Sequence, residues 1–481
     1  MKNKTKLAKN YSRRSFLRDA SLVAGGLAIV PRHVLGKGFI PPSDKLNIAG
    51  IGCGGKAEVN LPYAWNKGAE NIVALCDVDD KMAANARKRW PNAPYYKDYR
   101  VMLEKEHKNI DAVMVTTPDH MHAVHALPCM QLGKHVYVEK PLTHDIYEAR
   151  ILTQAEKKYK VVTQMGNQGS SGDDTRLVET WIQEGAIGDV HTVHVWTNRP
   201  VWPSGVSLPT GKFDVPKELD WDLWLGTAPI RDYNPAYHPA IWRGWTDFGT
   251  GSLGDMGCHF MDVPFRALKL GYPESVECSV TSVYTGFFQE SFYKGSFPPS
   301  SVIHLRFPKR DDLIAVDMTW YDGGIKPQRP AELLPDEEFA EWDGGILFEG
   351  TNGKLMAGLF GRKPTLLPTK LMASTTLPVS KYPFVKGGSE GHQKQWTDAC
   401  KKGYGTYTSS PFSQAGPLAE TVLMGNLAVL SYNHFDTVNN RRQFNGRKKL
   451  LWDGANMKIS NFEPANQFVK REYRSGYKLE L

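Results

Sequence analysis

Leu46-Asn47-Ile48-Ala49-Gly50-Ile51-Gly52-Cys53-Gly54-Gly55 is an apolar run that breaks into glycines. Gly50, Gly52 and Gly55 match the spacing G-x-G-x-x-G. In such a turn one glycine bends the chain sharply, one lets backbone approach a pyrophosphate, and one packs helix on strand. A helix starting near Lys56 would aim its first N–H groups at the phosphates. A second apolar run, Ile72-Val73-Ala74-Leu75-Cys76, ends in Asp77, 22 residues past Gly55. An acid at that distance binds the ribose hydroxyl pair and repels a 2′-phosphate, so NAD is expected rather than NADP. The rival reading is a Gly-rich βα turn without a ligand.

Outward from that stretch, apolar runs alternate with amphipathic ones up to residue 165. Expected strands are Leu46–Ile51, Ile72–Cys76, Ala112–Val115, His135–Val138 and Val161–Gln164, with helices such as Asp80–Arg89 and Ala123–Leu132 between them. This is the pattern of βαβ units, and 44–165 is expected to be a doubly wound parallel sheet of the Rossmann type. Thr116-Thr117-Pro118 and Glu139-Lys140-Pro141 close two of the strands. Their place beyond the carboxyl ends turns both toward the dinucleotide crevice.

From 166 to 440 the composition shifts, with Trp, Pro and Gly frequent between 196 and 257. Alternating runs at Ser275–Val283, Ser301–Phe307 and Leu313–Trp320 predict an α+β domain with a mostly antiparallel sheet. Residues 321–345 are rich in Pro and acids and are expected to form a long loop. His392–Lys401 and Pro417–Tyr432 carry helical patterns, and 441–481 is expected to be a tail packing back on the body.

Residues 1–36 are expected to lie outside the fold. Ser12-Arg13-Arg14-Ser15-Phe16-Leu17 and the apolar run from Ala20 to Val30 have the pattern of a twin-arginine export signal, which predicts a periplasmic protein. With no cysteine before Cys53, no membrane anchor is expected after cleavage. Eight basic residues against Asp19 give this stretch seven of the chain's net +8 charges, so the basic balance is no argument for nucleic acid. The six cysteines form no C-x-x-C pair and read as free, buried thiols.

Three groups of residues carry candidate chemistry. Lys140 stands at a strand end, where it can polarise a hydroxyl or carbonyl, act as a base if buried, or simply be solvated. In Asp255-Met256-Gly257-Cys258-His259-Phe260-Met261-Asp262, a helix would place Asp255, His259 and Asp262 on one face. That face suits acid–base work, a divalent metal, or a capped helix start with a satisfied histidine. His120, His122 and His125 follow the Thr-Pro turn and are expected to line the cofactor crevice or cap the next helix rather than bind metal. No metal site is expected. Trp202, Trp221, Trp224, Trp242 and Trp245 could stack on sugar faces, although Trp is more often core.

Together, the Gly50/Gly52/Gly55 turn, Asp77, Thr117-Pro118, Glu139-Lys140-Pro141 and Asp255-x-x-x-His259 resemble the Gfo/Idh/MocA oxidoreductases over roughly residues 45–440. The Trp-rich lead-in from Trp221 to Asp262 resembles the exported subgroup of that family. The resemblance implies a Rossmann domain followed by a domain with an open, largely antiparallel sheet, NAD as cofactor, a sugar or glycoside as substrate, and a homo-oligomer through the second sheet. It implies Lys140, Asp255 and His259 as catalytic residues, with Asn167, Gln168, Trp242 and Arg243 at the cofactor or substrate. Residues 321–390 and the tail depart from the simplest members.

An exported enzyme has no soluble pool of nicotinamide cofactor, so the cofactor is expected to stay bound and be regenerated in place. Oxidation of one sugar coupled to reduction of another would do this. So would transient oxidation of a glycoside, cleavage and re-reduction. A carbohydrate-binding protein without turnover is the non-enzymatic alternative.

Overall fold

The structure, a computed structural model, describes residues 44–481, so the export-signal reading of 1–36 lies outside the described residues. The first sheet is built from β1 (Asn47–Ile51), β2 (Asn71–Cys76), β3 (Tyr95–Tyr96), β4 (Ala112–Val115), β5 (His135–Val138) and β6 (Thr163–Met165). All its neighbours pair in parallel, in the order β3-β2-β1-β4-β5-β6. β4 is buried at all four positions and β1 at four of five, which is why these strands read as unbroken apolar runs. The strand order reverses between β1 and β4. A doubly wound sheet opens a crevice at that point, outside the strands' carboxyl ends. The Rossmann expectation therefore holds.

Helix Ile146–Tyr159 covers one face of this sheet and starts in a capping box: Asp145 accepts the Glu148 N–H, and the Glu148 side chain reaches back to the Asp145 backbone. The helix expected over Asp80–Arg89 begins only at Ala84, because the Asp79 carboxylate takes the N–H groups of Lys81 and Met82 in a turn.

The second sheet has nine strands. In chain order these elements are β7 (Val190–Thr197), β8 (Ser275–Val280), a separate hairpin β9–β10 (Tyr284–Gly286, Gln289–Glu290), β11 (Ser301–Phe307), β12 (Val316–Tyr321), β13 (Gly344–Gly350), β14 (Gly353–Ala357), β15 (Thr365–Leu367), a second hairpin β16–β17 (Phe435–Val438, Arg441–Phe444), β18 (Leu450–Asp453) and β19 (Lys458–Ile459). The sheet order is β15-β14-β13-β7-β12-β11-β8-β18-β19, antiparallel except where β12 meets β7. This is the largely antiparallel sheet expected.

Its inner face buries Val193, Val195, Ile303, Leu305, Met318 and Trp320 under helix Phe412–Ser431. That helix starts five residues before the expected Pro417 and also packs along Ile146–Tyr159, so one element serves both sheets. The loop between β12 and β13 has a structural duty: Leu333 and Phe339 cover Trp196, Leu347, Met356 and Leu367 on the outer face, with the Trp196 and Phe339 rings 4.6 Å apart. The rest of that face is polar, as in the His194–Tyr321 and His304–Thr319 pairs.

Sequence order does not follow the expected borders. Helix His392–Lys402 returns to the first sheet, where Trp396 is fully buried against Tyr137 at 5.6 Å. Within the expected tail, β18 and β19 extend the second sheet at its edge. No helix among the described residues is long and apolar enough to cross a membrane. All six cysteines are free.

Arg150 and Glu420 tie the two long helices together with bonds of 2.7 and 2.8 Å, and Glu420 is 1% exposed. Arg150→Ala leaves a buried carboxylate without its cation and should cost about 3–5 kcal/mol in urea unfolding. Replacing both partners by apolar residues of similar size should recover most of that; a loss under about 1 kcal/mol for the single variant would show that the pair does not hold the helices.

Candidate functional site

At the crevice β1 ends in Ile51, and Gly52 adopts φ +79°, a conformation that glycine tolerates without steric cost. A Cβ on Gly52 would stand 2.6 Å from the Thr116 carbonyl oxygen. Gly55, at φ +54°, has nothing within 4 Å of where its Cβ would be, so the backbone is bare toward the cleft. Gly50 sits within β1, where a Cβ would press on Leu61 at 3.1 Å. It lets the helix Ala57–Trp65 pack on the strand and does not line the cleft. Lys56, the N-cap of that helix, does line it.

Asp77 closes β2 and accepts the N–H of Cys53 (2.7 Å) and of Asp79 (3.0 Å), one on each carboxylate oxygen. Each oxygen keeps a lone pair for a hydroxyl. Burial pushes its carboxyl above the usual range, while those two N–H donors pull the other way. Lys97, the cation at this end of the cleft, is committed to Asp80 (3.0 Å) and to the Glu218 carbonyl (2.5 Å), which leaves it poorly placed for a 2′-phosphate.

The cleft holds about 500 Å³ and runs from Asp77 past Gly55, Thr117, Pro118, Glu139 and Lys140 to Trp242, Arg243 and His259. A bare glycine turn at a helix start, a diol-sized carboxylate and a cleft of this size fit a dinucleotide. Within that lining the Glu139 carboxylate is held by Asn60 at 2.6 Å, and a Cβ on Gly166 would meet it at 2.4 Å.

His122 lies elsewhere than expected. Its ring nitrogens face the carbonyls of Pro141 and Thr117, each at 2.8 Å, so it ties the two strand-end turns together from behind the cleft wall. His120 likewise points at the Trp224 carbonyl, 3.2 Å away, while His125 lines the cleft and meets Thr117 Oγ1 at 3.2 Å. No group of three or more His, Cys, Asp or Glu side chains among the described residues is arranged to hold a metal ion.

At the far end the chain does not form the regular helix that spacing suggested. Leu253–Gly257 is a π-helical turn, followed by helical turns at Cys258–Phe260 and Asp262–Ala267. The wider turn breaks the i, i+4, i+7 alignment. Asp262 goes to Arg266 (2.8 Å) and Ser170 (3.1 Å), away from the other two. Asp255 and His259 stay with the cleft residues. Lys140 Nζ donates to Asp255 Oδ1 at 2.6 Å and to the Asp255 carbonyl at 2.9 Å, and Arg243 stands 3.3 Å from the same carboxylate. Burial opposes ionisation of Asp255, yet Lys140 and then Arg243 hold its carboxyl well below the usual carboxylate range. Arg243 also pairs with Asp119 at 3.2 Å.

Asn167 is buried behind the cleft surface and does not line it. Its Nδ2 donates to the Cys258 carbonyl at 2.9 Å, which turns Oδ1 to His259 Nδ1, also at 2.9 Å. Oδ1 only accepts, so His259 carries its proton on Nδ1 and its Nε2 lone pair is left for another proton. Burial and then the Lys140 cation depress the His259 pKa well below its ordinary value, partly opposed by Asp255. A neutral imidazole with Nε2 free is a general base.

Phe360, absent from the sequence expectations, completes this end. It lines the cleft at φ +59°, with its ring edge-to-face on His259 at 4.8 Å. Thr175 donates to its carbonyl at 2.8 Å, and a Cβ on Gly169 would meet its ring at 2.3 Å. Tyr99, Met82 and Tyr477 were missed as well. No local motif marks them, because each arrives from a distant element.

Asp77→Ala should weaken NAD binding and narrow the preference over NADP by about tenfold, the effect of losing one carboxylate that both binds the diol and repels a phosphate. Titrating both cofactors checks it, and an unchanged ratio would remove Asp77 from cofactor choice.

Residues 46–167 match the family model described as oxidoreductase family, NAD-binding Rossmann fold, and 183–280 match the family's C-terminal alpha/beta domain. A glycosyl hydrolase family 109 protein of Shewanella sp. (strain W3-18-1) is 27% identical over 207 residues, 38% of this chain and 44% of its own. A scyllo-inositol 2-dehydrogenase (NADP(+)) of Bacillus subtilis (strain 168) is 28% identical over 171 residues, 36% of this chain and 38% of its own. The chain thus spans less than half the length of these two curated relatives. The solved structure of the WlbA dehydrogenase of Bordetella pertussis, a complex with NADH and UDP-GlcNAcA, shares the fold with TM-score 0.55 at 16% identity, over 79% of this chain and 95% of that one. The chain carries both domains of the Gfo/Idh/MocA oxidoreductase family, the NAD-binding Rossmann domain and the C-terminal α/β domain.

Proposed function

We propose that this protein is an NAD-dependent oxidoreductase acting on a hydroxyl of a sugar or sugar derivative. The arrangement that carries the reading is a base and a cation converging on one end of the cleft: His259, fixed by Asn167, and Lys140, paired with Asp255. Bound NAD supplies the hydride acceptor. The substrate hydroxyl gives its proton to His259 Nε2 as the carbon loses hydride, and the C–O bond becomes a carbonyl. Lys140, anchored twice on Asp255, holds the oxygen and stabilises negative charge on it. Asp255 stays ionised, orients Lys140 and offsets its charge. The same groups run the reverse step on a second carbonyl compound, which takes back the hydride and the proton.

The address of the protein belongs to this proposal. Arg13-Arg14 and the apolar run after them support export by the twin-arginine route, and an exported enzyme needs its cofactor regenerated in place. A second reading is favoured by one observation: a relative bears the name of a glycosyl hydrolase family. There a transient ketone would acidify the neighbouring C–H and allow the glycosidic bond to break before re-reduction. Product analysis separates the two: a free sugar and aglycone with no net oxidation for the second, an oxidised and a reduced product for the first.

His259→Ala should slow single-turnover reduction of bound NAD about a hundredfold or more, in line with general-base contributions, and leave NAD binding nearly intact. Because the His259 pKa is depressed, the base remains available below pH 6.5 and is lost only as pH falls through the lowered value, so the acid limb of the rate profile should lie below that of a free histidine. Asn167→Asp puts a negative charge against Nδ1, stabilises the imidazolium and should move that limb to higher pH. Wild-type rates in His259→Ala, or an unmoved limb in Asn167→Asp, would take the pair out of the mechanism.

Arg13→Lys with Arg14→Lys should leave a cofactor-loaded protein inside the cell. Fractionation that recovers the variant outside at the wild-type level would overturn the export reading.

A further inference from the structure

The Trp-rich segment 217–242 reaches back across the first domain. Asp79 and Leu219 form an isolated antiparallel bridge, the Asp80 N–H donates to the Glu218 carbonyl (3.1 Å), and the Asp220 N–H donates to the Val78 carbonyl (2.9 Å). These contacts fall immediately after Asp77, at the end of the cleft where an adenosine would lie. His238 Nε2 meets Asp79 Oδ2 at 2.8 Å, while its Nδ1 is buried with no hydrogen-bond partner. Leu223, Trp224, His238 and Trp242 line the same cleft as Asp77 and Tyr99. Trp224 also belongs to a separate buried cluster with Trp221, Tyr237, Trp245 and Phe248, and Trp221 stacks on it at 4.8 Å. The segment is therefore a wall with its own core.

The C-terminal residues fasten that wall. Arg471 joins Glu148 (2.7 Å) and the His120 carbonyl (2.6 Å), which anchors the chain to the first domain. Three residues on, Arg474 donates to the Gly226 carbonyl (2.5 Å), the Asp222 carbonyl (2.6 Å) and the Asp222 carboxylate (2.5 Å), all within the Trp-rich segment. Tyr477 then lines the cleft itself, with Arg100 5.3 Å from its ring. The tail so bridges the first domain and the wall.

We propose that segment 217–242, latched by Arg474 and Tyr477, closes over the adenosine end of the cleft and holds the dinucleotide as a non-exchanging group. The proposal rests on the reading of the cleft as an NAD site and adds how the cofactor is retained. A dinucleotide in a cleft walled on both sides leaves only when the wall detaches, and detachment breaks charge-assisted bonds to Arg474 together with the bridge at Asp79. Retention is what in-place regeneration requires. It also gives the last residues of the chain a role in binding rather than in packing alone.

The test is exchange, not activity. Full-length protein is loaded with NADH, freed of excess by gel filtration and chased with unlabelled NAD while nicotinamide fluorescence is followed. The wild type should keep about one dinucleotide per chain through the column and exchange over hours. Arg474→Ala and Tyr477→Ala should each exchange at least about tenfold faster. Asp77→Ala should bind more weakly from the outset, which separates loss of a direct ligand from loss of the latch. Free exchange in the wild type, or wild-type exchange rates in both latch variants, overturns the proposal while leaving the cleft an NAD site. If the wild type binds neither NADH nor NADPH in the loading step, the reading of the cleft falls, and the latch falls with it.

Discussion

The pairing of Lys140 with Asp255 is the contact on which the rest of the site depends. Lys140 comes from a strand end of the first sheet and Asp255 from the π-helical turn of the second domain. Both side chains are 14% exposed, so neither charge could stand there without the other. Two domains that must bring opposite charges together at one end of a cleft have little freedom in how they meet. The cation also serves the chemistry beyond the contact: Lys140 helps depress the basicity of His259, and so keeps a neutral imidazole beside the place where a hydroxyl would be oxidised.

The residues behind these groups extend this constraint. Asn167 has one orientation because its Nδ2 is taken by the Cys258 carbonyl, and that orientation dictates which nitrogen of His259 is protonated. Phe360 packs edge-to-face on the imidazole from a left-handed backbone position, which Thr175 and the bare Cα of Gly169 make possible. Each of these groups comes from a different part of the chain. The base is thus set by packing and hydrogen bonding around it as much as by its own identity.

The way the chain doubles back explains why its domains are not consecutive stretches. Helix His392–Lys402 packs on the first sheet, β18 and β19 finish the second, and the last residues return to the first domain at Asp145 and Glu148. The wall over Asp77 and the C-terminal latch turn an open-edged crevice into a cleft bounded on both sides. The loop between β12 and β13 covers apolar outer-face positions of the second sheet in the same manner.

Sequence alone determined the parallel sheet, the glycine turn and Asp77, because each rests on a local regularity: strands buried on both faces read as apolar runs, a left-handed turn demands glycine, and strand ends place the next residue at the crevice. The second sheet was legible from alternation for the same reason. For Lys140, Asp255 and His259 the residue pattern left several roles open, and only the family resemblance singled them out as a candidate trio. The tertiary structure decided what depends on distant partners. Spacing put Asp262 beside His259, but the π turn rotated it away to Arg266. The Thr-Pro turn suggested His122 for the crevice wall or a helix cap, and the resemblance implied Asn167 at cofactor or substrate, whereas one clamps two turns from behind and the other fixes an imidazole. Phe360, Tyr477 and Arg474 had no signal at all, because an aromatic or arginine far along the chain gains its role only from the surface it is folded against. Backbone periodicity is a short-range property that a sequence states directly, while hydrogen-bond partners and burial are set by contacts between residues hundreds of positions apart.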